Sequence, residues 1–221
     1  MFERIAHRYD LLNHLLSAGR DVHWRRFTAK MLPPDVRTVI DVATGTGDLA
    51  AAVARELPRV WVVGVDFARE MLAMARDKAT PAHRSRISLV EGDATNLPFD
   101  AGRFDAACIG FGFRNIPDRR GALLEMKRVV RPGGTVSVLE MTFPKTLERR
   151  RLFQWYLDHF IPAVGGLLSG DRAAYRYLPD SIRGFLEPRE MRRLFTEVGL
   201  VEVREYALTF GLTYLHRGTV P

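Results

Sequence analysis

Short apolar runs alternate with longer amphipathic segments over most of the chain. From Thr38 the apolar runs read TVIDVA, VWVVGVD, ISLVEG, FDAACIG and TVSVLEM, and residues with helical spacing of apolar positions lie between them. Near-continuous apolar strands are typical of a parallel sheet that helices cover on both faces. The pattern therefore predicts a doubly wound α/β domain. We expect strands at 38–43, 60–66, 87–92, 104–110 and 135–141, and helices at 48–57, 68–79, 119–130 and 188–198.

The end of the chain departs from this alternation. Two strand-like runs, LVEVREYAL at 200–208 and LTYLHRG at 212–218, are separated only by Thr209, Phe210 and Gly211. A parallel crossover needs a dozen or more residues, so these two strands must pair antiparallel. The prediction is a Rossmann-like sheet of seven strands with the last one antiparallel, which is typical of class I S-adenosylmethionine-dependent methyltransferases.

Two further segments flank this sheet within what we interpret as a single domain, residues 1–221. Residues 1–31 are predicted to form an N-terminal helical arm, because apolar residues recur on one helical face from Phe2 to Leu16. Residues 143–186 are predicted to form a helical insert after the fifth strand. One broad face of the insert carries Leu152, Trp155, Tyr156, His159 and Phe160.

The charge of the chain is concentrated in these flanking segments. The formal net charge is +7, and residues 1–31 carry six Lys and Arg against three Asp and Glu, while residues 143–193 carry ten against six. Such an excess fits nucleic acid, an anionic membrane surface or simply an arginine-rich soluble protein. The sequence has no run of 18 apolar residues and no signal-peptide pattern, and Cys108 is its only cysteine. We therefore expect a cytoplasmic protein with neither a disulfide framework nor a metal site.

The loop after the first strand has the composition of a nucleotide-like cofactor site. In VIDVATGTGDLA, Gly45, Gly47 and Ala50 have the spacing of a dinucleotide-binding fingerprint. Glycine lets the backbone approach a ligand, and Thr46 offers a further N–H or hydroxyl group. Asp66 ends the second strand, where a carboxylate accepts from ribose hydroxyls. NAD and S-adenosylmethionine sites share these features.

Two positions favour the methyl donor over NAD. Asp93 and Ala94 follow the third strand, where a methyltransferase reads adenine with a carboxylate and the next backbone N–H. Asp48 follows the glycines, and its charge repels a pyrophosphate but attracts a sulfonium and an ammonium group. The alternative for Asp48 is a role at the helix N-terminus.

Several motifs resemble the UbiE/MenG family of quinone-biosynthesis C-methyltransferases. YDLLNHLLSAGRDVHW at 9–24 is similar to the first family signature and departs from it at Asp21, where the family usually has His. RVVRPGGTVSVLEMT at 128–142 resembles the second signature, and DVATGTGD, FGFRNIPD, SGDRAAYRYLPDSIRGF and LHRG match in order. The resemblance implies S-adenosylmethionine as the donor. It also implies C-methylation of a prenylated quinol, either demethylmenaquinol or a 2-methoxy-6-polyprenyl-1,4-benzoquinol.

The resemblance also implies residue roles. It places the FGFRN motif, residues 111–115, and the N-terminal Tyr9 and Asp10 around the acceptor. Together with the loop after the first strand, the resemblance predicts which residues bind the donor. They are Gly45, Thr46, Gly47, Asp66, Phe67, Asp93, Ala94 and Gly110.

Methylation of a quinol carbon requires an electron-rich ring, which deprotonation of the neighbouring hydroxyl provides. Arg114 is expected to stabilise the phenolate and Asn115 to hold the second ring oxygen. Tyr9, Asp48 and His14 are the candidate bases, and water activated by one of them is an equal alternative. A packing role is the alternative for Tyr9 and the expected role of Trp24. His159 is expected to be a structural or surface residue.

The expected partners follow from the acceptor. The basic, aromatic insert is interpreted either as a surface that makes transient contact with the inner face of the membrane or as a helix that covers the core or a homodimer contact. A nucleic-acid methyltransferase is disfavoured, because Asn115-Ile116-Pro117-Asp118 stands where an Asn-Pro-Pro-Tyr motif is required. An NAD-dependent oxidoreductase, a methyltransferase for another small aromatic or lipid acceptor, and a catalytically inactive cofactor-binding subunit remain alternatives.

Overall fold

The computed structural model describes residues 17, 19–142, 154–155, 181–182 and 184–221. Within these residues an α/β sheet carries helices on both faces. The strands are β1 (Thr38–Val42), β2 (Trp61–Asp66), β3 (Ile87–Glu91), β4 (Phe104–Gly110), β5 (Val130–Met141), β6 (Val201–Leu208) and β7 (Thr213–Thr219). The helices are α1 (Arg20–Lys30), α2 (Asp48–Glu56), α3 (Arg69–Lys78), α4 (Pro81–Arg84), α5 (Arg119–Val129) and α6 (Pro188–Glu197), with 3-10 turns at Phe113–Asn115 and Thr209–Gly211.

The described strands form one seven-stranded sheet in the order β3-β2-β1-β4-β5-β7-β6. The first five strands pair parallel to one another. β7 runs antiparallel to both β5 and β6. The predicted doubly wound sheet with an antiparallel last strand is confirmed, and the reversal of order at β1 and β4 opens a crevice at their carboxyl ends.

β5 begins earlier than the sequence predicts. The strand starts at Val130, whereas the Pro132-Gly133-Gly134 stretch predicts a turn that delays the strand to Thr135. The pairing with β4 moves from Phe104 opposite Val130 to Ala106 opposite Thr135, so the four intervening residues bulge out of the ladder.

Side chains of the central strands alternate between two hydrophobic layers. Ala106 and Cys108 of β4 pack in the layer that includes α2, whereas Ala107 and Ile109 pack in the layer that includes α5. This alternation follows from the period of two in a strand. Cys108 is completely buried, as its place in an apolar strand predicts.

α1 lies across the carboxyl end of the sheet. Trp24 is 2% exposed, and its Nε1 donates a hydrogen bond of 2.8 Å to Oγ1 of Thr209. Its ring centroid lies 5.9 Å from that of Phe111. The packing role predicted for Trp24 is confirmed, and this packing holds α1 beside the end of β4.

Parts of the two flanking segments lie outside the described residues. The N-terminal arm before Ser17 and most of the insert belong to this part, and so do Tyr9, His14 and His159. None of the described helices is long and apolar enough to cross a membrane.

Candidate functional site

A cavity of about 520 Å³ lies at the carboxyl ends of the parallel strands. Loops after β1, β2, β3 and β4 form its wall, and α1 closes one side. Seven of the eight residues predicted to bind the donor line this cavity, as do two of the four predicted catalytic residues. The lining includes Gly45, Thr46, Asp66, Phe67, Asp93, Ala94 and Gly110 from the first group and Asp48 and Asn115 from the second.

Gly47 lies at the N-terminus of α2 and lines a neighbouring groove instead. Its φ is +81°, a conformation that residues with a side chain rarely adopt. A Cβ at this position also meets the Cβ of Ala75 at 3.3 Å. The fingerprint glycine therefore serves the turn and the packing against α3, and Gly45 is the glycine at the cavity wall.

Asp66 connects the loops after β1 and β2. Its side chain accepts a hydrogen bond of 2.8 Å from the Gly45 N–H and one of 3.0 Å from the Ala68 N–H. Burial raises the pKa of this carboxyl above its ordinary value, and the backbone donors of Ala68, Gly45 and Phe67 oppose the rise. The Gly45 N–H is thus engaged by the protein itself, but the carboxylate retains acceptor capacity for ribose hydroxyls.

Asp93 is exposed at the opposite wall of the cavity. Its Oδ1 accepts from both the N–H and the hydroxyl of Thr95, each at 2.8 Å. These bonds form an Asx turn that orients the carboxylate. Asp93 and Ala94 both line the cavity, where the sequence predicts the adenine site.

Asp41 is a site residue that the sequence reasoning missed. It lies in β1, is 1% exposed and also lines the cavity. Its Oδ2 accepts from Oγ1 of Thr44 at 2.6 Å and from the Ala50 N–H at 3.0 Å, so it fixes the loop between β1 and α2. Burial raises its pKa to about 7. The available signal was an acidic residue inside an otherwise apolar strand.

Asp48 lines the cavity, but two cations share its charge. Its Oδ1 accepts from Nζ of Lys78, and its Oδ2 lies 3.7 Å from Nη2 of Arg25. The sequence predicts either that the negative charge of Asp48 faces the donor or that Asp48 serves the helix N-terminus. The structure replaces the first alternative with an ion-pair network that connects α1, α2 and α3.

Arg25 is the second site residue that sequence reasoning missed. It is 6% exposed, forms a buried ion pair with Asp21 and lies over the ring of Phe111 with 5.2 Å between Cζ and the ring centroid. Asp21 is the position where the chain departs from the family signature, and it accepts a further hydrogen bond of 2.7 Å from Ser17. The pair of Asp21 and Arg25 has the i,i+4 spacing of a helix, which is visible in the sequence. The contacts of Arg25 with Phe111 and Asp48 come only from tertiary packing.

Arg114 lies elsewhere than the sequence predicts. Its guanidinium is buried, pairs with the carboxylate of Glu140 on β5 and donates a hydrogen bond of 2.8 Å to the Phe111 carbonyl. The Arg114 backbone N–H also donates to Glu140 at 3.0 Å. Arg114 does not line the cavity, so its predicted contact with a phenolate is replaced here by a role in holding the FGFRN loop on β5.

Asn115 is the member of the FGFRN loop that reaches the cavity wall. It ends the 3-10 turn, and its backbone N–H donates to the Gly112 carbonyl at 3.1 Å. Among the candidate bases, Asp48 lies at the cavity, whereas Tyr9 and His14 lie outside the described residues. The choice of base therefore stays a prediction.

The charges of the cavity lining fit a cationic ligand. Five carboxyl groups and one guanidinium line it. An acidic lining attracts the sulfonium and ammonium groups of S-adenosylmethionine, and it disfavours the pyrophosphate of NAD. The carboxylates that line the cavity are Asp41, Asp48, Asp66, Asp93 and Asp118.

Known proteins match the chain over nearly its whole length. The model of the ubiE/COQ5 methyltransferase family matches residues 1–220. A demethylmenaquinone methyltransferase of Thermus thermophilus is 44% identical and covers 100% of both chains. The ubiquinone/menaquinone biosynthesis C-methyltransferase UbiE of a Geobacter species is 42% identical over 99% of this chain and 94% of its own.

Solved structures agree with the fold. A SAM-dependent methyltransferase from Thermotoga maritima superimposes with a TM-score of 0.71 at 20% identity, over 100% of this chain and 98% of its own. A second one, from Aquifex aeolicus, has a TM-score of 0.61 at 16% identity, over 84% of this chain and 82% of its own. These likenesses confirm the class I methyltransferase fold. The family model that matches residues 1–220 and the relatives at 44% and 42% identity establish that the chain belongs to the ubiE/COQ5 methyltransferase family.

Proposed function

We propose that this enzyme transfers a methyl group from S-adenosylmethionine to a ring carbon of a prenylated quinol. Demethylmenaquinol is the first acceptor that we propose, and the 2-methoxy-6-polyprenyl-1,4-benzoquinol is the second. The observation that carries the proposal is one cavity in which the acidic donor wall and Asn115 of the FGFRN loop meet. The names of the relatives from Thermus and Geobacter support these two acceptors.

The residues of the donor wall have separate tasks in this proposal. When bound, S-adenosylmethionine supplies a methyl group on a positively charged sulfur. Asp66 accepts from the ribose hydroxyls, and Asp93 with the Ala94 N–H reads the adenine. Asp41 holds the loop between β1 and α2 through Thr44 and the Ala50 N–H. Fixed positions of these groups align the donor for in-line transfer.

The acceptor wall positions and activates the ring. We propose that the Asn115 amide donates a hydrogen bond to a ring oxygen. This hydrogen bond strengthens as the oxygen gains negative charge. Arg114 supports Asn115 indirectly, because its pair with Glu140 holds the 3-10 turn against β5. Asp48, or water beside it, accepts the hydroxyl proton, and the ring carbon then attacks the methyl carbon. Loss of the proton from that carbon restores the aromatic ring.

We also propose that the protein meets its acceptor transiently at the inner face of the membrane. A prenylated ring is held in the bilayer by its tail, so the enzyme has to approach the lipid surface. Phe67 at the cavity is 65% exposed and Trp155 in the insert is 57% exposed, and aromatic side chains favour the membrane interface. These exposed rings support the proposal.

Labelled S-adenosylmethionine tests the proposal directly. The protein is incubated with the labelled donor and either demethylmenaquinol or the benzoquinol precursor, and the lipid product is analysed for label. We expect label in demethylmenaquinol first. Label in neither lipid, while S-adenosylhomocysteine binds, contradicts the quinol assignment.

An Asn115→Ala variant tests the acceptor wall. Loss of a hydrogen bond to a charged oxygen lowers kcat/KM by about tenfold to 100-fold, while affinity for S-adenosylhomocysteine stays unchanged. Asn96→Ala is the matched control, because Asn96 is exposed and does not line the cavity. Equal kcat/KM values for the two variants contradict the role of Asn115.

A further inference from the structure

A second cavity of about 560 Å³ adjoins the donor cavity along α2. α1, α2, the end of α3 and α4 bound it, and we call it the basic groove. The basic groove and the donor cavity share Arg25, Thr46 and Asp48 as lining residues. A ligand in the basic groove therefore lies directly beside the methyl donor.

The lining of the basic groove is strongly cationic. It contains six Arg and Lys side chains but only two carboxylates. Such a cluster of one sign concentrates anions locally. The cations are Arg25, Arg26, Arg55, Arg76, Lys78 and Arg84, and the carboxylates are Asp48 and Glu56.

Both carboxylates are already paired. Oε1 of Glu56 lies 2.7 Å from Nε of Arg26, and its Oε2 lies 3.8 Å from Nζ of Lys30. Asp48 pairs with Lys78 and Arg25. Three of the six lining cations, Arg25, Arg26 and Lys78, thus pair with these carboxylates, as does Lys30 outside the lining. The two carboxylates do not offset the charge of the other three lining cations.

Arg55 and Arg76 are two of the groove cations that do not pair with Asp48 or Glu56. Both are exposed at the groove, and neither forms an ion pair with any residue that the structure describes. Burial, followed by the charges of Arg55 and Arg86, lowers the pKa of His83 in the same groove. Two guanidinium groups without a carboxylate partner among the described residues make the potential of this part of the groove positive.

The floor of the basic groove is apolar. Ala51, Ala52 and Ala75 line it together with Ile87 and Leu89. Val22, which is 51% exposed, stands at its edge. A cationic rim over an apolar floor suits an amphiphile with a phosphate joined to hydrocarbon better than it suits a free polyanion.

We infer that the basic groove binds the phosphate headgroup of an anionic membrane lipid and so docks the donor cavity against the bilayer. The inference rests on the proposed function, because a ring that is methylated in the bilayer requires lipid next to the donor. Arg55 and Arg76 bind the phosphate, and the alanine floor with Val22 accepts the upper part of the acyl chain.

Vesicle binding with a pair of matched double variants tests the inference. Arg55→Gln/Arg76→Gln removes two charges from the groove. Arg189→Gln/Arg192→Gln removes two exposed charges from α6, which packs in the hydrophobic layer opposite to that of α2. Each protein is sedimented with phosphatidylglycerol or phosphatidylcholine vesicles at low salt. Melting temperature and S-adenosylhomocysteine affinity verify that both variants are folded.

We expect the natural protein and the α6 control to prefer phosphatidylglycerol. The groove variant should partition roughly 30-fold more weakly, because each cation near an anionic surface contributes roughly a fivefold preference. Equal losses in both variants, or equal binding to both lipids, overturn the inference. Binding of inorganic phosphate that the groove variant loses, with no preference of the natural protein for phosphatidylglycerol, overturns it in favour of a free-phosphate site.

This measurement is independent of the methylation assay. Vesicle binding is measured without a quinol, so the absence of methylated quinol does not alter its outcome. Conversely, if menaquinol forms while the two double variants bind vesicles equally, that result leaves the proposed function standing and refutes only the inference about the groove.

Discussion

The buried carboxyl of Asp41 gives the most direct physical test of the site. Asp41→Asn keeps an oxygen that accepts from the Thr44 hydroxyl and the Ala50 N–H, but it removes the titratable group. Burial raises the pKa of Asp41 to about 7 in the folded protein, from its ordinary value of 3.8, which applies to the unfolded chain. Ionisation therefore favours the unfolded chain, and the free energy of unfolding falls as the pH rises between these two values.

The magnitude follows from the pKa difference. Each pKa unit corresponds to about 1.36 kcal/mol, so the full effect is about 4 kcal/mol. Between about pH 5 and about pH 8, ionisation of Asp41 lowers the free energy of unfolding by about 2.5 kcal/mol. The stability of Asp41→Asn relative to the natural protein should therefore increase by that amount over this range. Above the folded pKa the difference should become constant.

Urea unfolding followed by circular dichroism at several pH values measures this difference. Because other groups titrate equally in both proteins, the difference isolates Asp41. Asp77→Asn, at an exposed position of α3, is the control, and we expect no such slope for it. A difference between Asp41→Asn and the natural protein that does not vary with pH refutes the reasoning about burial.

Three further predictions concern the surrounding loops. Glu140→Gln leaves the buried Arg114 guanidinium without its carboxylate, so we expect a loss of about 3 kcal/mol or more in the free energy of unfolding. Glu197→Gln removes the exposed pair of Glu197 with Arg193 and should lower the free energy of unfolding by less than about 1 kcal/mol. Gly47→Ala introduces a Cβ at positive φ and close to α3, and should lower the melting temperature by roughly 2 to 8 °C. Asp66→Ala should weaken S-adenosylhomocysteine binding by about tenfold or more in calorimetry.

Each of these predictions has a contradicting outcome. Equal unfolding energies for the Glu140 and Glu197 variants indicate that the buried pair is not a source of stability. An unchanged melting temperature for Gly47→Ala indicates that α2 and α3 separate without cost. If Asp66→Ala binds S-adenosylhomocysteine as the natural protein does, the ribose role assigned to Asp66 is wrong.

Local sequence pattern was sufficient for the fold and for most of the donor wall. Apolar runs reveal strands because both faces of a parallel strand are buried, and the three residues between the last two strands force an antiparallel pair. Loops that follow parallel strands meet at one edge of the sheet, so the sequence alone places Asp66 and Asp93 together. Ladder irregularities such as the bulge in β5 were not predicted, because they depend on the partner strand.

The pairings of charged side chains between different elements were decided by the tertiary structure alone. Arg114 and Asp48 were assigned chemistry as isolated charges, but Glu140 lies 26 residues from Arg114 and Lys78 lies 30 residues from Asp48 in the chain. Arg25 reaches the cavity only because Trp24 packs α1 onto the end of β4. Periodicity and spacing thus determined which backbone edge carries the site. The environment of each charge depends on distant elements that desolvate and neutralise it, and that information exists only in the folded chain.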